Sequence, residues 1–218
     1  MNYELFSKNR NLRILLLGTI FAVVAFFFLD HPLGVWLHQK PFSGDIQKFI
    51  DCGELFGHGT GMFVVAALIY VLDQANRRKI LRVIACAYLP GLAAVLIKTI
   101  ISRVRPRAFD FSLTIDQTFK GWAWLHERSS DYQSFPSGHT ATAVGLAIGL
   151  SWLYPHGRKL FLVFAVWVAV QRMVSEAHYL SDTICAAMLA YFIAGAIVGR
   201  QQTADIRIPV NCRLPSAD

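Results

Sequence analysis

The chain has 218 residues, of which 55% are hydrophobic and 16% charged, with a net charge of +7 and a mean hydropathy of +0.43. A typical soluble domain carries about 25% charged residues, so this balance points to a helical membrane protein of one domain rather than a soluble helical bundle. No basic stretch alternates with aromatics in a polar setting, which argues against nucleic acid as a partner.

The N-terminal segment places Lys8, Arg10 and Arg13 before an apolar run that ends in Phe26-Phe27-Phe28-Leu29-Asp30-His31-Pro32. The lead resembles a signal peptide, but no small-x-small cleavage site follows, so the run is expected to be a retained first span. Further apolar stretches complete a set at 14–29, 55–72, 81–101, 140–155, 160–177 and 183–199. At 1.5 Å per residue each crosses most or all of a hydrocarbon layer about 30 Å thick. The expected fold is therefore all-α, an integral membrane bundle of six transmembrane helices. Gly57, His58, Gly59, Thr60 and Gly61 dilute the second span, and Pro90-Gly91 in the third permits a kink or a close helix contact.

With the N-terminus inside, the inner segments hold Lys8, Arg10, Arg13, Arg77, Arg78, Lys79, Arg82, Arg158, Lys159, Arg200, Arg207 and Arg213. The outer ones hold only Lys40, Lys48, Arg103, Arg107, Lys120 and Arg128, apart from three site cations considered below. This asymmetry predicts a multi-pass protein with both termini cytoplasmic and an outer loop between helices three and four. The expected location is a bacterial inner membrane, where that loop is periplasmic. Residues 1–200 form the single transmembrane domain and 201–218 a cytoplasmic tail. The loop, about 103–135, is long enough to be a functional element or lid. Its aromatics Phe109, Phe111, Phe119, Trp122 and Trp124 suit either the headgroup level or packing on the protein itself. Cys52, Cys86, Cys185 and Cys212 form no CxxC pair, so neither a metal site nor a disulfide framework is expected.

Three charged clusters interrupt this apolar pattern, and ionisable residues at a membrane edge are site candidates by their cost. Lys98, Ser102 and Arg105 stand at i, i+4 and i+7, one stripe of a helix that Pro106 then ends. They serve either as an anion grip or as a snorkelling anchor. Pro136-Ser137-Gly138-His139 opens span four, with Ser137 as N-cap, Gly138 allowing close backbone approach and a helix N-terminus that attracts anions, or else as an ordinary cap. Arg172, His178 and Asp182 follow, the last two at the i, i+4 spacing that lets a carboxylate orient an imidazole. The plain alternative there is an Arg172–Glu176 helix pair beside a buried histidine. In the predicted topology all three clusters meet on the outer face. Their cations match a phosphate ester, which brings about −1.5 to −2 charges. No acidic cluster accompanies them, so no metal or other cofactor is expected.

These motifs, K-x6-RP, PSGH and R-x5-H-x3-D, together resemble those of the type 2 phosphatidic acid phosphatase family over roughly residues 60–199. The resemblance implies that His178 attacks phosphorus to form a phosphohistidine, with Asp182 holding it. It implies that His139 protonates the leaving oxygen and then activates water, while Lys98, Arg105, Ser137, Gly138 and Arg172 grip the phosphoryl oxygens. One departure is Gln171, where the family's third motif usually opens with serine. The expected activity is a metal-independent hydrolase of lipid phosphates or lipid pyrophosphates at the outer face. Its expected partners are a phosphorylated membrane lipid and the bilayer, with no obligate protein partner. A lipid phosphotransferase shares the motifs, as does a soluble vanadate-dependent haloperoxidase. A transporter requires charges along a path through the bilayer, whereas these gather at helix ends.

Overall fold

The computed structural model describes residues 8–125 and 129–206, and most of them are helical. Helix α1 (Lys8–Val24) passes through a π-helical turn at Ala25–Leu29 into α2 (Asp30–His38). The first span thus runs past its expected end at residue 29. Pro32 does not stop it: the helix carries on through the π-helical turn just before it, where Asp30 N–H donates to the Ala25 carbonyl. Helices α3 (Gly44–Cys52), α4 (Glu54–Gly57) and α5 (Gly59–Leu72) follow, and then α6 (Ile80–Lys98). A segment with a short antiparallel ribbon, β1 (Ile101–Arg103) and β2 (Phe119–Trp122), leads to α7 (Gly138–Leu153). The chain closes with α8 (Arg158–Val174) and α9 (Leu180–Ile206). The last helix enters the segment expected as a tail, whose remainder, 207–218, lies outside the described residues along with Cys212.

Among the described residues, Asn9–His38, Gln74–Lys98 and Leu180–Gly199 are long and apolar enough to cross a membrane. The pair Gly44–Gly57 and Gly59–Leu72, bent by 66°, makes a fourth if taken as one span. Helices α7 and α8 have 16 and 17 residues, so they fall slightly short of that length.

Helix α7 is the axis of the bundle and packs against α6, α8 and α9. It does so through small side chains, with Ala141, Ala143, Gly145, Ala147 and Gly149 all buried. Packed pairs include Ala143 and Ala147 with Ala165 and Val168 of α8, and Ala141 with Ala94 of α6 and Ala186 of α9. Small residues let helix backbones approach where lipid offers no hydrophobic drive to associate. Large apolar residues face outward instead: Phe63, Leu72 and Leu81 are 73%, 76% and 76% exposed. That inversion of a soluble core suits a hydrocarbon surrounding.

At Gly145 a Cβ would run into the carbonyl oxygen of Cys86 on α6, a backbone atom that cannot swing away. Gly91 of α6 is likewise pressed on Thr142, so the Pro90-Gly91 step provides the close helix contact foreseen for it. Gly145→Ala is therefore expected to lower stability by about 1–3 kcal/mol, the usual cost of overpacking. Gly199→Ala, where a Cβ meets nothing within 4 Å, is expected to be near neutral. Thermal unfolding of both variants in detergent checks the contrast.

Candidate active site

The three clusters meet at one end of the bundle. The stripe expected of Lys98, Ser102 and Arg105 does not form. Helix α6 ends at Lys98, residues 101–103 turn into β1, and Arg105 is extended before Pro106. Strand pairing with β2 supplies backbone partners that continued helix would have satisfied internally, so the helical spacing carries no meaning past residue 98. The cations arrive by separate routes. Lys98 Nζ donates to the carbonyl of Gln133 at 2.7 Å, and Arg105 N donates to the carbonyl of Asp131 at 2.7 Å.

Ser137 is the N-cap of α7, its Oγ accepting from Thr140 N at 3.4 Å. Its own N–H donates to the Asp182 carbonyl at 3.3 Å, which ties the second cluster to the third. A Cβ on Gly138 would meet nothing within 4 Å, so there is open space over that backbone. The third cluster is shaped by the end of α8, where Glu176 takes a left-handed φ of +53°. The N–H groups of Ala177 and His178 then both return to the Arg172 carbonyl at 3.2 Å. This tight reversal sets Arg172 and His178 side by side although six positions separate them.

Arg172 does not pair with Glu176. Its Nη1 donates to Glu54 Oε1 at 2.7 Å and its Nη2 to Ser175 Oγ at 3.0 Å. Glu176 instead accepts from His38 Nδ1 at 2.8 Å. The same Glu54 oxygen lies 3.5 Å from His139 Nε2. His178 Nδ1 faces Asp182 Oδ2 at 3.8 Å, within ion-pair range but beyond a hydrogen bond. Burial among Lys98 and Arg105, against the pull of Asp182, pushes the His178 imidazole down to about 4. Burial and then the neighbouring Arg107 and Arg172 lower Arg105 from its ordinary value. Three cations therefore share one small volume. Several of its buried polar atoms have no hydrogen-bond partner, namely Arg105 Nε, Arg172 Nε and His178 Nδ1. Gln171 is buried too, with its Oε1 unpartnered. Such orphans in a packed interior call for a ligand that accepts from cations. Among the described residues no three of His, Cys, Asp and Glu gather where a metal ion could be held.

Two cavities flank the site. One, about 450 Å³, is apolar and lined by Tyr88, Leu89, Leu92 and Val95 together with Gly138 and His139. The other, about 290 Å³, is bordered by Lys40, Gln47, Ser175 and Glu176.

Behind the site is a buried network that sequence reasoning did not find. Arg103, expected in an outer loop, is wholly buried and paired with Asp30 at 2.8 Å and with Asp182. Ser181 Oγ donates to Asp30 at 2.5 Å and Ser134 Oγ to Asp182 at 2.6 Å. Tyr179 N donates to Asp182 at 2.9 Å. The guanidinium also lies 4.2 Å from the Tyr179 ring centre and 4.7 Å from that of Phe119. The loop aromatics divide accordingly. Phe109 is buried, Phe111 packs on His31 and Phe119 on Phe26, whereas Trp122 and Trp124 stack together in the open. The signal missed for Asp30 and Glu54 was a lone carboxylate at the edge of an apolar run.

Comparison with known proteins fits this arrangement. Residues 79–205 match the model of the PAP2 superfamily, and the chain belongs to that family. It is 36% identical over 95 residues to lipid A 1-phosphatases of Rhizobium johnstonii and Rhizobium etli. Those matches cover 43% of this chain and 36% and 38% of the two relatives. The decaprenylphosphoryl-5-phosphoribose phosphatase of Mycolicibacterium smegmatis is 28% identical over 127 residues, 58% of this chain and 63% of that protein. The crystal structure of Aquifex aeolicus LpxE shares the fold, with a TM-score of 0.59 at 19% identity, covering 79% of this chain and 96% of that one.

Removing Arg103 leaves two carboxylates buried without their counter-charge. Arg103→Met is expected to destabilise by about 3–5 kcal/mol, the usual effect of breaking a buried pair from one side. Adding Asp30→Asn to Arg103→Met is expected to recover part of that loss, because it removes one stranded charge. Thermal unfolding of the single and double variants measures the recovery.

Proposed function

We propose that this chain is an integral membrane phosphatase that removes phosphate from a lipid phosphate or lipid pyrophosphate without a metal, through a phosphohistidine on His178. The observation that carries the reading is the cluster of buried, unpartnered nitrogens on Arg105 and Arg172 beside His178 and the α7 N-terminus. A phosphoryl group supplies the acceptor oxygens they lack.

In this reading Lys98, Arg105, Arg172 and the Ser137-Gly138 backbone hold the equatorial oxygens. His178 Nδ1 stays toward Asp182, leaving Nε2 to attack phosphorus as the bond to the leaving oxygen breaks. His139 gives that oxygen its proton, then takes one from water. The water attacks the phosphohistidine, the P–N bond breaks and inorganic phosphate leaves. The lipid part occupies the apolar groove of Tyr88, Leu89, Leu92 and Val95, whose inner wall includes His139. That places the leaving oxygen at the acid. Lipid A 1-phosphate heads the candidate substrates because the Rhizobium relatives carry that name.

All six long apolar segments cross the bilayer in this proposal, with both termini in the cytoplasm and the site facing the periplasm. The basic residues support it. Arg77 covers the Tyr70 ring, and Lys79 and Arg82 cover Trp152, a snorkelling collar on helix ends away from the site. Trp122 and Trp124 suit the headgroup level at the opposite face.

His178→Ala is expected to cut phosphate release from lipid A 1-phosphate by at least about 10³-fold, while EDTA leaves the native rate unchanged. Wild-type turnover in that variant removes His178 as nucleophile. A lowered imidazole stays neutral, and so nucleophilic, further into acid. Corrected for the substrate's own titration, the acid limb that His178 imposes on kcat/KM is thus expected near pH 4. An acid limb at or above the ordinary histidine value contradicts this.

A further inference from the structure

Glu54 lies outside the matched segment 79–205, and the mechanism above gives it no part. Yet it stands inside the site. One of its oxygens, Oε1, accepts from Arg172 Nη1 at 2.7 Å and lies 3.5 Å from His139 Nε2. Arg172 has only 11% of its side chain exposed, whereas Glu54 has 41%. The carboxylate can leave toward water and the guanidinium cannot follow it.

We infer that Glu54 is a displaceable internal anion: it occupies Arg172 in the empty site and yields to the incoming phosphoryl group. This rests on the phosphate-seat reading of the same cluster. The physical need is the empty state. Among the described residues, Lys98 and Arg105 converge on Arg172 without a carboxylate in direct contact with either, since Asp182 is taken by Arg103, Ser134 and Tyr179. Lys98 relieves itself on the Gln133 carbonyl and Arg172 on Glu54. A carboxylate matches the guanidinium as a phosphoryl oxygen does, but brings one negative charge against nearly two. The dianion therefore wins when present, and the cations are not left bare when it is absent.

The local fold allows the exchange. Glu54 begins α4, a single turn between Gly53 and Gly57, just ahead of the 66° break that separates α3 and α4 from α5. Displaced from Arg172, the carboxylate remains on the His139 side of the seat. Glu54 is thus a positioning residue that sets how the site receives its anion.

The test uses inorganic phosphate as the probe, with its affinity read from thermal shift of the full-length protein in detergent. Glu54→Gln keeps the shape and removes the competing charge. It is expected to bind phosphate about fivefold more tightly, the factor given by the upper value for a solvent-reachable ion pair. Glu54→Ala is expected to shift the same way. If Glu54 only tethers α4 to α8, both variants lose thermal stability with phosphate affinity unchanged or weakened, and the inference is overturned. Turnover of lipid A 1-phosphate by the wild type, measured in parallel, tests the phosphatase reading separately. Absence of turnover with tighter phosphate binding by Glu54→Gln sinks that reading and leaves the displaceable anion standing.

Discussion

A guanidinium with no exposed surface, flanked by two carboxylates, governs much of this molecule. Arg103 on the ribbon pairs with Asp30 near the end of the first long helix and with Asp182 at the start of α9. Burying three charges costs several kcal/mol per ion unless each finds partners. Here Thr118, Ser134, Ser181 and the Tyr179 N–H supply them. Burial alone would favour deprotonated arginine, but the attraction of Asp182 and Asp30 wins and raises it above its ordinary value. The guanidinium charge is thus fixed, and three distant parts of the chain have to meet for it to be satisfied.

That constraint passes directly into the site. Asp182 is engaged by Arg103, Ser134 and Tyr179, so its position does not depend on His178. It faces the imidazole at 3.8 Å, and the backbone reversal at Glu176 brings the histidine to it. Ser137 N bonding to the Asp182 carbonyl anchors the α7 N-terminus to the same point. A network of this kind can specify geometry more than it stabilises. Two carboxylates against one guanidinium leave an excess negative charge that the cations of the neighbouring seat help to balance.

The sequence disclosed most of this where function rests on local spacing. The Ser137 cap was readable from a short motif, the gathering of Lys98, Arg105, Arg172 and His178 from the expected topology, and Pro90-Gly91 as either a kink or the close contact it makes. It misled where one periodicity was carried past the element that owned it. Lys98, Ser102 and Arg105 have helical spacing, yet strand pairing begins at Ile101. Asp30, Arg103 and Glu54 could not be placed, because their partners lie 73, 79 and 118 positions away. A lone charge in an apolar run shows that a partner exists but not which one. Arg172 illustrates the difference: Glu176 was the near candidate, and the fold selected Glu54.

The same contrast separates scaffold from seat. Around Arg103 each charged group is paired and hydrogen-bonded within the protein, and the side chains there are sealed from solvent. At Arg105, Arg172 and His178 the polar atoms are equally buried but incompletely paired. A folded chain tolerates unpaired buried donors only where something else gains from them. The cost of leaving them open is smallest beside a cavity that an anion can enter, and the Gly138 backbone and the apolar groove next to His139 provide one. The satisfied network supplies the rigidity that holds the unsatisfied one together against the repulsion of its cations. Without it, Lys98, Arg105 and Arg172 would drift apart to relieve their repulsion, and the α7 N-terminus would lose the Asp182 carbonyl that positions it.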